Sequence, residues 1–201
     1  MNFKTNNFHD IKLPNAPILV ADNSGASQIT THGEIIRLDR NEAIKEINAR
    51  PQILCNKKIT SKFLQTDVSY CFDILELFVF IHPTRFIVPT HLGLAKTFNL
   101  PKPNSTEEAT ETLLRVTQLL LSNLSEEYSN LYKLACIMEQ AGWAWGPIVL
   151  HNLQNTKPNK GKTESIKNFK VWGMLKEWEE AEILSDSNKV DIKKIDVLEK
   201  L

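Results

Sequence analysis

The stretch "QILCNKKITSK", Gln52 to Lys62, places three ammonium groups (Lys57, Lys58 and Lys62) directly behind an apolar run. Ammonium groups there can hold phosphate oxygens, and each such contact releases a counterion from a nucleic-acid backbone. The plain alternative is a solvated, charged turn. Asp22 closes another apolar run, "ILVAD", just ahead of the turn signal "NSG". Glu108 stands three residues after Ser105 at the head of a long amphipathic stretch. Read locally, Asp22 is a strand-end turn acid and Glu108 a carboxylate at a helix N-terminus. Trp143 and Trp145 in "AGWAWGP" present faces that could stack on bases or anchor a helix end on the core.

Several chemistries are disfavoured by spacing. Gly161-Lys162-Thr163 resembles the tail of a phosphate-binding loop, but the required first glycine would be Thr156 and no buried strand leads in, so the backbone amides cannot converge on a phosphate. His9, His32, His82, His91 and His151 show no metal-ligand spacing, there is no C-x-x-C pair, and no Gly-x-Ser-x-Gly elbow occurs. Cys55, Cys71 and Cys136 are far apart and odd in number, the pattern of buried free thiols in a reducing compartment.

The 201 residues carry 24 basic and 24 acidic side chains with 42% apolar residues, an ordinary globular profile. Zero formal charge argues against an all-over electrostatic grip on nucleic acid or membrane and leaves room for a local patch. The polar start "MNFKTNNFHDIKLPN" lacks an apolar core, and the apolar runs are too short to span a bilayer. A cytoplasmic protein without a membrane partner is expected.

The elements that must position these residues follow from the apolar pattern. "ILVAD", "ASQITT" and "EIIRL" predict short strands joined by glycine-containing turns. Asp39 and Asn41 can cap a helix in "NEAIKEI". "QILC" predicts a further strand, and "CFDILELFVFI" a strand entry and a helix ended by Pro83. "PTHLGLAKTFNLP" places Leu92, Ala95 and Phe98 on one helical face, with Pro101 as the stop. Ser105 to Asn123 is the most regular helix, with Leu113, Val116 and Leu120 facing the core. Ser125 to Gln140 is the next, with Tyr128, Leu131, Leu134, Ala135 and Met138 inward, and Gly142 marks its end. From 155 on, "QNTKPNKGKTESIKN" reads as a connector that leads to a short amphipathic stretch. The whole predicts a mixed α/β domain with four or five strands within Pro17 to Asp73 and a helical C-terminal side.

In this order the pieces resemble the proofreading-type (DEDD) 3′-5′ exonuclease domain over about Pro17 to Leu124. "LCNKKITSKFL" is similar to that family's strand-to-helix turn, with Asn56, Phe63 and Leu64 in register. "FDILELFVFIHP", "THLGLAKTFNLP" and "TEEATETLLRVTQLL" are similar to the segments that follow it. The resemblance implies an RNase-H-like mixed sheet flanked by helices, with a C-terminal helical extension. In the family, clustered carboxylates hold two divalent ions about 4 Å apart to activate water, and a histidine takes the proton. Carried over, the first acid is Asp22 and its partner Ser24. The second acid falls on Thr60, the last on Glu108, and the histidine on Pro103. Hard cations need oxygen anions, so two carboxylates beside Lys57, Lys58 and Lys62 imply a scaffold without catalysis, without cofactor and without bound metal.

"LACIMEQAGWAWGPIVLHNL" and "VWGMLKEWEE" further resemble the stretch that joins an exonuclease-like domain to the motor in damage-inducible (DinG-type) superfamily-2 DNA helicases of α-proteobacteria. That implies a polar tail (1–16), a degenerate exonuclease-like domain (17–124), a helical extension (125–154) and a connector with a short amphipathic helix (155–201), without the ATPase motor. The partners implied are a helicase motor polypeptide and single-stranded DNA. Lys57, Lys58 and Lys62 would make the nucleic-acid contacts, and Trp143, Trp145, Trp172 and Trp178 a docking surface. A purely structural docking relic and a residual metal-dependent nuclease are the alternative readings.

Overall fold

The computed structural model describes residues 11–124 and 129–155. The chain divides into two units, Met1–Gly161 and Lys162–Leu201, and all described residues belong to the first. Trp172 and Trp178 therefore lie outside the described residues, as do Tyr128 and the amphipathic stretch of the connector.

Five strands form one mixed sheet: β1 (Ile18–Asp22), β2 (Gly25–Ile29), β3 (Ile35–Leu38), β4 (Ile53–Leu54) and β5 (Phe72–Asp73), in the order β3-β2-β1-β4-β5. The first three make an antiparallel meander, and β4 and β5 extend the other edge in parallel with β1. The turn between β1 and β2 is short because Asp22 pairs with Gly25. Gly25 sits at φ +148°, and a Cβ there would lie 2.2 Å from the Leu38 carbonyl oxygen. No larger residue fits without moving the β3 backbone.

The alternation of strand side chains sends Leu19, Ala26, Leu38 and Leu54 to one face. There they bury against α1 (Arg40–Ala49) and α2 (Lys57–Leu64) through Ala43, Ile47 and Leu64. Asp39 caps α1 with a complete capping box to Glu42. Asn41, expected as a second cap, lies inside the helix. On the opposite face α5 (Thr106–Ser122) crosses β1 and β2, with Leu113, Val116 and Leu120 fully buried as their spacing predicts.

α3 (Ile74–Ile81) and α4 (His91–Thr97) complete the body, and two expectations for α4 are corrected. Its inward side is Leu94, Ala95 and Phe98, whereas Leu92 is exposed. Its stop is Asn99, whose left-handed backbone lets the Leu100 amide reach the Ala95 carbonyl, and Pro101 follows only afterwards. α6 (Ser129–Gln140) buries Leu131, Leu134 and Ala135 and ends at Gly142, φ +87°. It packs against α7 (Gly146–Asn155). The expected boundary at 124/125 falls within the first unit. Ile11 to Ala16, expected in a polar tail, is tied to α7: Asn152 accepts from the Lys12 amide and donates to its carbonyl, each at 2.9 Å.

Candidate functional site: a carboxylate filled by an arginine

Asp22 belongs to the last position of β1, and its carboxylate is saturated by this chain's own donors. Oδ1 accepts from the Ser24 amide and hydroxyl, each at 2.8 Å, which is the local turn expected of an Asp-Asn-Ser sequence. Oδ2 accepts from the Thr106 hydroxyl at 2.7 Å and from Arg37 Nη2 at 2.6 Å. Arg37 Nη2 also reaches the Ser24 hydroxyl, and Nη1 lies 3.9 Å from Glu107.

Strand register explains how Arg37 arrives. Ser27 of β2 is opposite Val20 on one side and Arg37 on the other. Asp22 and Arg37 therefore project from the same sheet face two strands apart, about 9–10 Å. The residues between them on that face are Gly25 and Ser27, too small to block a long guanidinium side chain. Partial burial opposes ionisation of Asp22, but the Arg37, Thr106 and Ser24 donors outweigh it and hold the carboxyl well below the usual aspartate range. Glu107 is likewise held low, by its own backbone amide, the Ser105 hydroxyl and the Arg37 charge.

The other positions carried over from the exonuclease pattern do not gather here. Glu108 turns to the Asn104 amide at 2.7 Å, while its own amide donates to the Ser105 hydroxyl. Ser105 and Glu108 stand at capping-box spacing, but only the Ser105 half of the box is formed, and the residues of α5 that face Asp22 are Thr106 and Glu107. Thr60 is buried on the side of α2 that also carries Leu64, and Pro103 is buried. Among the described residues, no three His, Cys, Asp or Glu side chains converge as a metal site would require.

A second cluster centres on Asp73, which no motif spacing singles out. Asn56 caps α2 through Ile59 in a left-handed conformation, φ +64°. Asp73 fixes that turn by accepting from the Asn56 and Lys57 amides at 3.1 and 2.7 Å, and it caps α3 through the Leu75 amide. Lys57 is only partly available, because its ammonium donates to the Ser69 carbonyl at 3.1 Å. Lys58 and Lys62 are exposed one turn apart on α2.

Trp145, expected at a docking surface, is completely buried. Its indole N–H donates to the Asp73 carbonyl at 2.8 Å, and its ring meets Phe72 edge-on at 5.2 Å. It anchors the helical extension on the sheet and is closed to a partner. Trp143 is half-buried, donates to Glu76 at 3.1 Å and lies against Phe80. Burial and the Asp73 charge push Glu76 upward, with the Trp143 indole and Lys57 opposing. Cys55 and Cys71 are free thiols pushed up to about 12, first by burial and then by the negative charge of Asp73.

Comparison with protein-family models, curated proteins and solved structures found no significant match. Fold and site together define a mixed α/β domain whose strand-end carboxylate is neutralised from within. No described helix is long and apolar enough to cross a membrane.

Proposed function

We propose that this chain is a non-catalytic, exonuclease-like module of RNase-H-like type, associated with a DNA helicase polypeptide and able to hold single-stranded nucleic acid. One observation carries the non-catalytic part: Arg37 and two hydroxyls occupy the Asp22 carboxylate that a metal-dependent nuclease would need free. A guanidinium 2.6 Å away supplies the positive charge that a divalent ion would otherwise bring, and the two cannot share those oxygens. The mixed sheet with helices on both faces supports the RNase-H-like reading, as does the acid at the end of the first strand. Helicase association rests on the "AGWAWGP" and "VWGMLKEWEE" words of the sequence.

The test is a calorimetric titration of Mg²⁺ and Mn²⁺ into the full chain. Negligible heat is expected. Micromolar binding that disappears in Asp22→Ala would overturn the non-catalytic reading.

A further inference from the structure

The balanced charge of the whole chain hides a local excess. No acid occurs between Glu46 and Asp67, a segment with Arg50, Lys57, Lys58 and Lys62. None occurs between Glu76 and Glu107, a segment with Arg85, Lys96 and Lys102. The fold brings the two segments together: the Asn56 side-chain amide, at the head of α2, donates to the Pro89 carbonyl of the α3–α4 loop at 3.2 Å. That loop carries Phe86, which is fully exposed, and Val88, which is largely so. Lys58, Lys62 and Lys96 are exposed on the flanking helices.

With Leu92 at the head of α4 also exposed, Phe86 and Val88 form a local grouping of apolar side chains in water, and such groupings mark binding surfaces where single exposed residues do not. The loop and α2 come from acid-free stretches with exposed lysines. The acids at their junction are Asp73, buried beneath the Asn56 and Lys57 amides, and Glu76, held by the Trp143 indole. The surface matches a ligand that is both polyanionic and rich in planar faces. We infer that the loop from Pro83 to Pro89, with the exposed lysines of α2 and α4, is a surface for single-stranded nucleic acid on which Phe86 stacks with a base. This rests on the proposed nucleic-acid role; of the three lysines expected to make the contact it keeps Lys58 and Lys62, and it adds Phe86 of the loop between α3 and α4. An extended strand would lay phosphates along Lys58 and Lys62 and turn one base onto Phe86. A duplex keeps its bases stacked and cannot use the ring. Sequence preference is therefore weak and salt dependence steep.

The experiment is fluorescence anisotropy of the full chain with single-stranded DNA and RNA oligonucleotides and a duplex control, in EDTA, over a range of salt. The wild type is expected to bind single strands and not the duplex. Phe86→Ala, which removes no buried contact, should weaken binding on the order of tenfold with little change in salt slope. Lys58→Ala with Lys62→Ala should flatten the slope of log affinity on log salt by about 0.7 per lysine. Absence of binding at low salt, or affinity unchanged in Phe86→Ala, overturns the surface. Binding of an acidic, tryptophan-containing peptide but not of oligonucleotides overturns it in favour of protein docking. Cleavage of the bound oligonucleotide on adding Mg²⁺ would overturn the non-catalytic reading and leave the surface standing.

Discussion

Replacing Asp22 by Asn tests whether the ion pair at the head of α5 is a structural clasp. The amide keeps an oxygen for the Ser24 donors but turns an NH₂ toward Arg37 and Thr106, which both donate to Oδ2 in the native chain. Asp22 and Arg37 are each about a third exposed, 31% and 39% by side chain. The pair itself therefore contributes about 0.2–1 kcal/mol after solvent screening. The Thr106 hydroxyl bond adds about 1 kcal/mol, a charge-assisted value reduced for partial exposure. Asp22→Asn should cost about 1–2 kcal/mol at neutral pH, or roughly 2–4 °C of Tm per kcal/mol in a chain of this size. Because the folded carboxyl is held below its ordinary value, its stabilisation is complete above about pH 5. It is lost as pH falls, since the unfolded chain takes up the proton first. Urea unfolding of wild type and Asp22→Asn at neutral pH and near pH 2.5 measures this, and the gap should narrow at the acid end. A double-mutant cycle with Thr106→Val should show coupling of about 0.5–1 kcal/mol across the 84 residues that separate them. Equal stability at neutral pH, or a gap undiminished in acid, would refute the clasp.

Three further outcomes follow from burial. Leu113→Ala removes a fully buried side chain from α5 and should cost about 2–5 kcal/mol by denaturant unfolding. Trp145→Phe leaves the Asp73 carbonyl without its indole donor and should cost about 1–3 kcal/mol, whereas Trp143→Phe, at a half-buried ring, should cost less in the same assay. The buried Cys71 and the half-buried Cys55, both pushed up to about 12, should react slowly with a thiol-disulfide reagent at pH 8 while the chain is folded, Cys71 the slower of the two; prompt labelling of Cys71 would contradict its burial.

Much of the fold was legible along the chain because its signals are local. "NSG" after "ILVAD" gives the β1–β2 turn, Asn56 and Ser105 supply caps from their own side chains, and Leu113, Val116 and Leu120 repeat at helical spacing. Where the local signal has rivals, packing decides. α4 offers apolar residues on more than one side, and only packing selects Leu94 over Leu92. Glu108 fits a capping box, yet its carboxylate prefers the Asn104 amide.

The candidate site was decided almost wholly by tertiary structure. Nothing near Asp22 in sequence announces Arg37 or Thr106, since one arrives through two antiparallel registers and the other across 84 residues. The register could have been counted from the two turns, and it places Arg37 on the face of Asp22, but only small residues at Gly25 and Ser27 let the guanidinium cross. The fate of Trp145 was equally hidden: an indole is as able to stack on a base as to fill a core, and the Asp73 carbonyl waiting beneath it settles the choice. The sequence by itself determined where strands, turns and helices begin, because caps and periodicity act within a few residues. Which charges meet, and which rings stay in water, depended on chain segments that only the folded sheet brings together.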